Sequence, residues 1–186
     1  MKTKNLAIAI AALLLFAGTS YGIPVQIVRI VQNKTTISNP LQLAELTIIE
    51  AGTGTNLAPS GTASQSSTLG GFVASRANDL NFGNFHHTLD LVGGGQTLDV
   101  DLGGLFNISD IGIFSRVGCC GQGRTADIQL QLFSDAAGTI MVHDERILGI
   151  GTSDSRIITL PVPEPATATL AMLGLGGLMM RRRRNA

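Results

Sequence analysis

Between residues 25 and 160 apolar and polar side chains alternate with period two in six short runs. They are VQIVRIV (25–31), LQLAELTII (41–49), QTLDVDL (96–102), ISDIGIFSR (108–116), ADIQLQLFS (126–134) and RIITL (156–160). Alternation of this kind sends every second side chain to one face, which marks a half-buried strand. Turn-forming clusters such as EAGTGTN, GGG and SDAAG separate the runs,. No stretch of residues 23–162 carries the three-to-four residue spacing of an amphipathic helix,. The pattern predicts an all-β domain, a sandwich or jelly roll.

The two ends follow different patterns. MKTKNLAIAIAALLLFAGTSYG has Lys2 and Lys4 ahead of an apolar stretch from Leu6 to Ala17. Small residues Ser20 and Gly22 then precede a cleavage point before Ile23. This three-part order is that of a secretory signal peptide over residues 1–22,. At the other end Pro163-Glu164-Pro165 precedes an apolar run from Ala166 to Met180, followed by Arg181, Arg182, Arg183 and Arg184. Fifteen apolar residues are short for a bilayer span, which usually takes about 17–25,. The arginine cluster would hold the end on the cytoplasmic side. The arrangement of residues 163–186 resembles the PEP-CTERM sorting signal of Gram-negative bacteria. That resemblance implies an exosortase as processing enzyme after signal peptidase. It also implies a transient inner-membrane anchor and delivery to the cell surface or extracellular matrix. A short helix is expected at each end, with one domain, residues 23–162, between them.

Charge narrows the partners. The whole chain carries 13 Lys/Arg and 13 Asp/Glu, but four of the arginines and two of the lysines lie in the terminal signals. Residues 23–162 hold seven Lys/Arg against twelve Asp/Glu, so the exported domain is acidic. An acidic domain with few aromatics lacks the basic surface that nucleic-acid binding requires.

Three stretches point to a family. NLAPSGTASQSST (56–68), ASRANDLN (74–81) and TLDVDLGGLFNISDIGIFSR (97–116) resemble, in order, the discoidin or coagulation-factor type C domain, a galactose-binding-like jelly-roll sandwich. RVGCCGQGR (116–124), with His87-Thr88 upstream, is similar to the fucolectin branch. LAELTIIEA (43–51) resembles the strand that closes such domains, yet here it precedes the opening stretch, as in a circularly permuted sandwich. Permutation costs little where the original termini lie close together.

Cys119 and Cys120 are the chain's only cysteines. In an oxidising compartment a bond between them is expected. It closes almost no loop, so stability is a poor explanation for it. Free thiols, an intermolecular disulfide and a metal-ligand pair are the other readings; adjacent cysteines without a second pair make a poor zinc site. The resemblance implies a vicinal disulfide that packs against a sugar face, with His87, Arg116 and Arg124 donating to sugar oxygens. His86 competes for the histidine role. Gly118 stands where the family has an aspartate, and Gly121-Gln122-Gly123 lengthens the gap to Arg124. A solvated arginine pair on a loop is the plain alternative. The family also implies a structural Ca²⁺ held by oxygen donors. The matching positions are the Ala44 and Arg76 carbonyls, Glu45, Asp79, Asn81 and Asn84, with Leu80 in place of a family glycine. Oxygen donors suit a hard cation. Capping of a turn by Asp79 and Asn81 would explain those two residues equally.

Catalytic patterns are not apparent. There is no Gly-x-Ser-x-Gly elbow,. Asp99 and Asp101 share a strand face two residues apart, as solvated residues do,. The expectation is a non-enzymatic, exported domain whose partner is a glycan or exopolysaccharide. A structural spacer of the matrix is the rival.

Overall fold

The computed structural model describes residues 22–34, 40–90, 93–120 and 124–161. Among the described residues seven strands form: β1 (Ile23–Gln32), β2 (Leu43–Glu50), β3 (Thr62–Gln65), β4 (Thr97–Ser115), β5 (Asp127–Phe133), β6 (Met141–Leu148) and β7 (Ser155–Thr159). Two 3₁₀ turns, Ala58–Ser60 and Ala74–Ala77, interrupt the loops. The all-β expectation holds. The expected terminal helices, over 1–22 and 163–186, fall almost wholly outside the described residues. Among the described residues no helix is long and apolar enough to cross a membrane.

Every ladder is antiparallel, and β4 links them. Its first half, near Leu98–Asp101, lies between β1 and β3. Its second half, Asp110–Phe114, lies between β2 and β7. Beyond β1 the sheet continues through β5 to β6. The result is β-sandwich-like, and residues 21–161 form one compact unit.

The two runs at 96–102 and 108–116 are expected as separate strands, and the structure joins them as β4. The distinction survives as a defect. Val25 pairs with Phe106 and Ile27 with Asp101, so residues 102–105 are extruded opposite one residue of β1. Gly103 makes this possible with φ +74°, a backbone state that costs glycine no steric penalty. The extrusion also shifts the phase of burial along β1, from Ile23 and Val25 to Val28 and Ile30,.

Strand β6 was not expected, because HDER in its middle breaks the alternation. It pairs on one side, with β5, and most of it is exposed. Selection for apolar alternation is therefore weak there. The core itself comes from Val28, Ile30, Leu46, Ile48, Val100, Ile111, Ile113, Leu130 and Leu132, all fully buried. Burying an aliphatic side chain of this kind contributes about 1.5–3 kcal/mol each.

Candidate functional site

Strand β2 and two loops carry the residues singled out in the sequence: 66–90, and the connection from β4 to β5. The loop after β4 begins at Arg116, half-buried, and is tied down by Ser153. The Ser153 N–H donates to the Arg116 carbonyl (3.1 Å), and the Gly118 N–H donates to the Ser153 hydroxyl (3.0 Å). Cys119 and Cys120 are joined as a vicinal disulfide. Cys120 is exposed and takes φ +66°. Arg124 ends the loop, its carbonyl accepting from the Gln32 side chain at 2.8 Å. Gly121, Gln122 and Gly123 lie outside the described residues.

The histidine pair separates into two roles. Segment 86–88 runs along residues 41–43, with His86 N–H donating to the Leu43 carbonyl and Thr88 N–H to the Leu41 carbonyl. His86 is fully buried and its Nδ1 meets Gln65 Oε1 at 2.9 Å. Burial, with a smaller contribution from His87, pushes its pKa down to about 3,. His86 is therefore interior structure. His87 turns toward the arginines: Arg124 Nη1 donates to its Nε2 at 2.9 Å, while its Nδ1–H donates to the Thr88 carbonyl. Both ring nitrogens are thus engaged, and the ring is neutral. Burial lowers its pKa; the Thr88 carbonyl opposes, and the charges of Arg124 and Arg116 lower it further. The expected role of donor to a ligand is replaced by a hold on Arg124.

Arg116 is held differently. Its guanidinium lies over the Phe85 ring at 3.8 Å, Phe85 stacks on Phe72 at 4.7 Å, and Arg76 lies over Phe72 at 5.1 Å. This is a continuous ladder of cation–π and ring contacts. Phe85 also approaches His87, with ring centroids 6.4 Å apart. His87, Arg116 and Arg124 therefore converge beside the loop that carries the disulfide. Phe72 and Phe85 escaped the sequence reading. A signal was available: three of the chain's seven phenylalanines fall between residues 72 and 85, beside the His-His pair.

Of the oxygen-donor set, Glu45 on β2 comes against the part of the 66–90 loop that carries Asp79, Asn81 and Asn84. Ala44 is the extra residue at a register shift between Leu43 and Glu45, so it stands outside the ladder between β2 and β4,. Glu45 is fully buried, and neither carboxylate oxygen has a hydrogen-bond partner of acceptable geometry. Burial raises its pKa to about 7, and the charge of Asp79 adds to the rise; nearby backbone N–H groups of Leu80, Leu46 and Asn81 oppose it. Asp79 Oδ1 accepts from Asn81 N–H (2.9 Å) and Asp79 Oδ2 from Asn84 Nδ2 (2.7 Å). Asn84 Oδ1 is buried without a partner. Leu80 adopts φ +66°, a backbone state that glycine takes without steric penalty,. Glu45 thus feels the charge of Asp79, and three buried oxygens, both of Glu45 and Oδ1 of Asn84, stand without a hydrogen-bond donor, a donor set whose chemistry is that of a hard-cation ligand,. Among the described residues no cluster of three or more His, Cys, Asp or Glu side chains gathers as a metal site. The remaining donors here are amide and backbone oxygens.

Comparison with known proteins bears on one end of the chain. Residues 161–184 match the PEP-CTERM protein-sorting motif. The motif implies exosortase-dependent export, through a membrane-anchored intermediate, to the cell surface. Pro163, Glu164, Pro165 and Arg181 to Arg184 all fall within this match and outside the described residues. No curated protein and no solved structure matches the chain. No discoidin domain is detected, so the β domain is read from its own residues.

Proposed function

We propose that residues 23–162 form a non-catalytic, calcium-supported carbohydrate-binding domain of the discoidin, fucolectin-like kind, displayed on the cell surface or in the extracellular matrix. The carrying observation is the convergence of His87, Arg116 and Arg124 at the loop whose sequence also holds the vicinal disulfide. Guanidinium forks are the usual protein donors to closely spaced oxygens. Arg116 and Arg124 would donate to ring and hydroxyl oxygens, while Cys119 and Cys120 offer an apolar platform for a C–H face. His87 and Phe85 act as positioning residues, since each holds one arginine and neither has a free donor.

Calcium would be held by Glu45, Asp79, Asn81 and Asn84 with the Ala44 and Arg76 carbonyls, and would order the 74–84 loop beneath the site. Glu45 precedes that loop by about thirty positions in the chain yet meets it in space. This supports the circularly permuted arrangement and, with it, the jelly-roll relationship. A glycan or exopolysaccharide is the partner. One shallow site binds weakly, so clustering on a surface would supply avidity.

The test is a glycan array probed with the purified full chain, in calcium and again in chelator, beside Arg116→Ala. Binding that is lost in the variant and weakened in chelator is the expected result. A silent array with a folded protein would overturn the lectin reading in favour of a matrix spacer.

A further inference from the structure

The charge around the site points to the class of sugar. Of the seven Lys/Arg in residues 23–162, Arg29 is paired with Asp99 and Arg146 with Asp127, each at 2.7 Å. Arg76, Arg116 and Arg124 instead collect at the Phe72–Phe85 ladder and His87. A domain with an acidic balance has thus gathered three of its cations in one place. Among the described residues, the guanidinium edge of Arg116 meets no protein acceptor, while its face lies against Phe85. Arg124 uses Nη1 on a neutral histidine, which removes no charge. Asp90 is the carboxylate whose charge reaches both His87 and Arg124. Its single charge leaves the pair of arginines with an excess of positive charge. Gly118, two residues after Arg116, carries no side chain, and a Cβ there would meet nothing within 4 Å.

Building on the carbohydrate-binding reading, we infer that this site takes an anionic sugar unit, carboxylate- or sulfate-bearing, in preference to a neutral one. A neutral hydroxyl would leave the excess charge uncompensated. An anion accepts charge-assisted bonds from the planar fork of Arg116, with Arg124 alongside. The aromatic ladder fixes the plane of Arg116 without neutralising it, which a carboxylate partner would do.

The experiment compares three probes on the purified full chain by calorimetry: a hexuronate oligosaccharide, the same oligosaccharide with its carboxyls reduced to alcohols, and a sulfated oligosaccharide of similar length. Each is titrated in calcium and in chelator, at low and high salt. The two acidic probes distinguish carboxylate from sulfate. At least one of them is expected to bind about tenfold or more tighter than the reduced probe, the scale of one charge-assisted hydrogen bond. Added salt is expected to weaken it. Gly118→Asp introduces a carboxylate two residues from Arg116 and is expected to weaken the acidic probe about tenfold,. Gly118→Asn, of the same shape and equally tolerant of the φ +79° backbone, controls for strain and is expected to bind nearly as the parent does,. Arg116→Lys keeps the charge without the fork and is expected to fall between parent and Arg116→Ala. Equal binding of neutral and acidic probes would overturn the anionic preference and leave the lectin reading standing. Acidic binding unaffected by Arg116→Ala or by Gly118→Asp would place the anion elsewhere and overturn it too. Silence towards all three probes and the neutral array would overturn both.

Discussion

At the residue scale, Leu80 in the 66–90 loop and Glu45 on β2 carry opposite burdens. Leu80 is exposed and holds φ +66°. A branched side chain in that region costs about 1–2 kcal/mol relative to an ordinary backbone state. Leu80→Gly is expected to raise stability by about 1 kcal/mol, part of the relief being offset by the greater freedom of an unfolded glycine. Urea denaturation in chelator measures it; unchanged or lowered stability would show that Leu80 is not strained. Glu45 is the other case. Its folded pKa of about 7 lies above the ordinary 4.5, so the folded state favours the protonated acid. Metal-free stability from this residue is complete below pH 4.5 and is lost as pH rises through about 7,. Denaturation curves in chelator across that range should show a downward slope from Glu45, read as the difference between the parent and Glu45→Gln, because the lowered pKa values of His86 and His87 add an upward slope common to both,. Calcium is expected to reverse the slope by stabilising the carboxylate, and to add about 2.7 kcal/mol at a hundredfold excess over its Kd. No calcium stabilisation of the parent would remove the ion from the account.

At the scale of elements, the long strand β4 decides what is tolerated. Its second half runs between β2 and β7, so its side chains and backbone are enclosed on both edges. Gly112 sits in that stretch. A Cβ there would clash with Thr47 Oγ1 and press on Ile157 and Phe114, each at 3.0 Å. Gly112→Ala is expected to destabilise by about 1–3 kcal/mol through overpacking. A thermal melt reads it, and a neutral result would mean that β2 and β7 can separate at little cost. Alternation made β1, β2, β5 and both halves of β4 legible, because each buries one face. It could not announce β3, four residues of TASQ without an aliphatic anchor, nor the charged edge strand β6. Both exist because β4 and β5 offer them open edges to pair with.

At the scale of the molecule, the tail and the domain answer separate questions. The PEP-CTERM motif at 161–184 implies a membrane-anchored intermediate. Replacing Arg181 to Arg184 by alanine is expected to change this processing, with unprocessed precursor or protein lost to the medium at the expense of the surface fraction. Fractionation of producing cells with intact-mass measurement distinguishes the forms, and an unaltered surface fraction would mean the cluster is dispensable.

The sequence by itself determined the strands that bury a face, the acidic balance of residues 23–162 and the sorting signal, because each is written in local order or composition. It also named Arg116, Arg124, the cysteine pair and the oxygen donors as candidates. Only the tertiary structure decided which histidine is interior and which holds Arg124. Only it placed Phe85 under Arg116, and Glu45 against a loop that follows it by some thirty residues. Those facts depend on contacts between distant segments, on burial and on register. None of these has a signature in the spacing of residues along the chain.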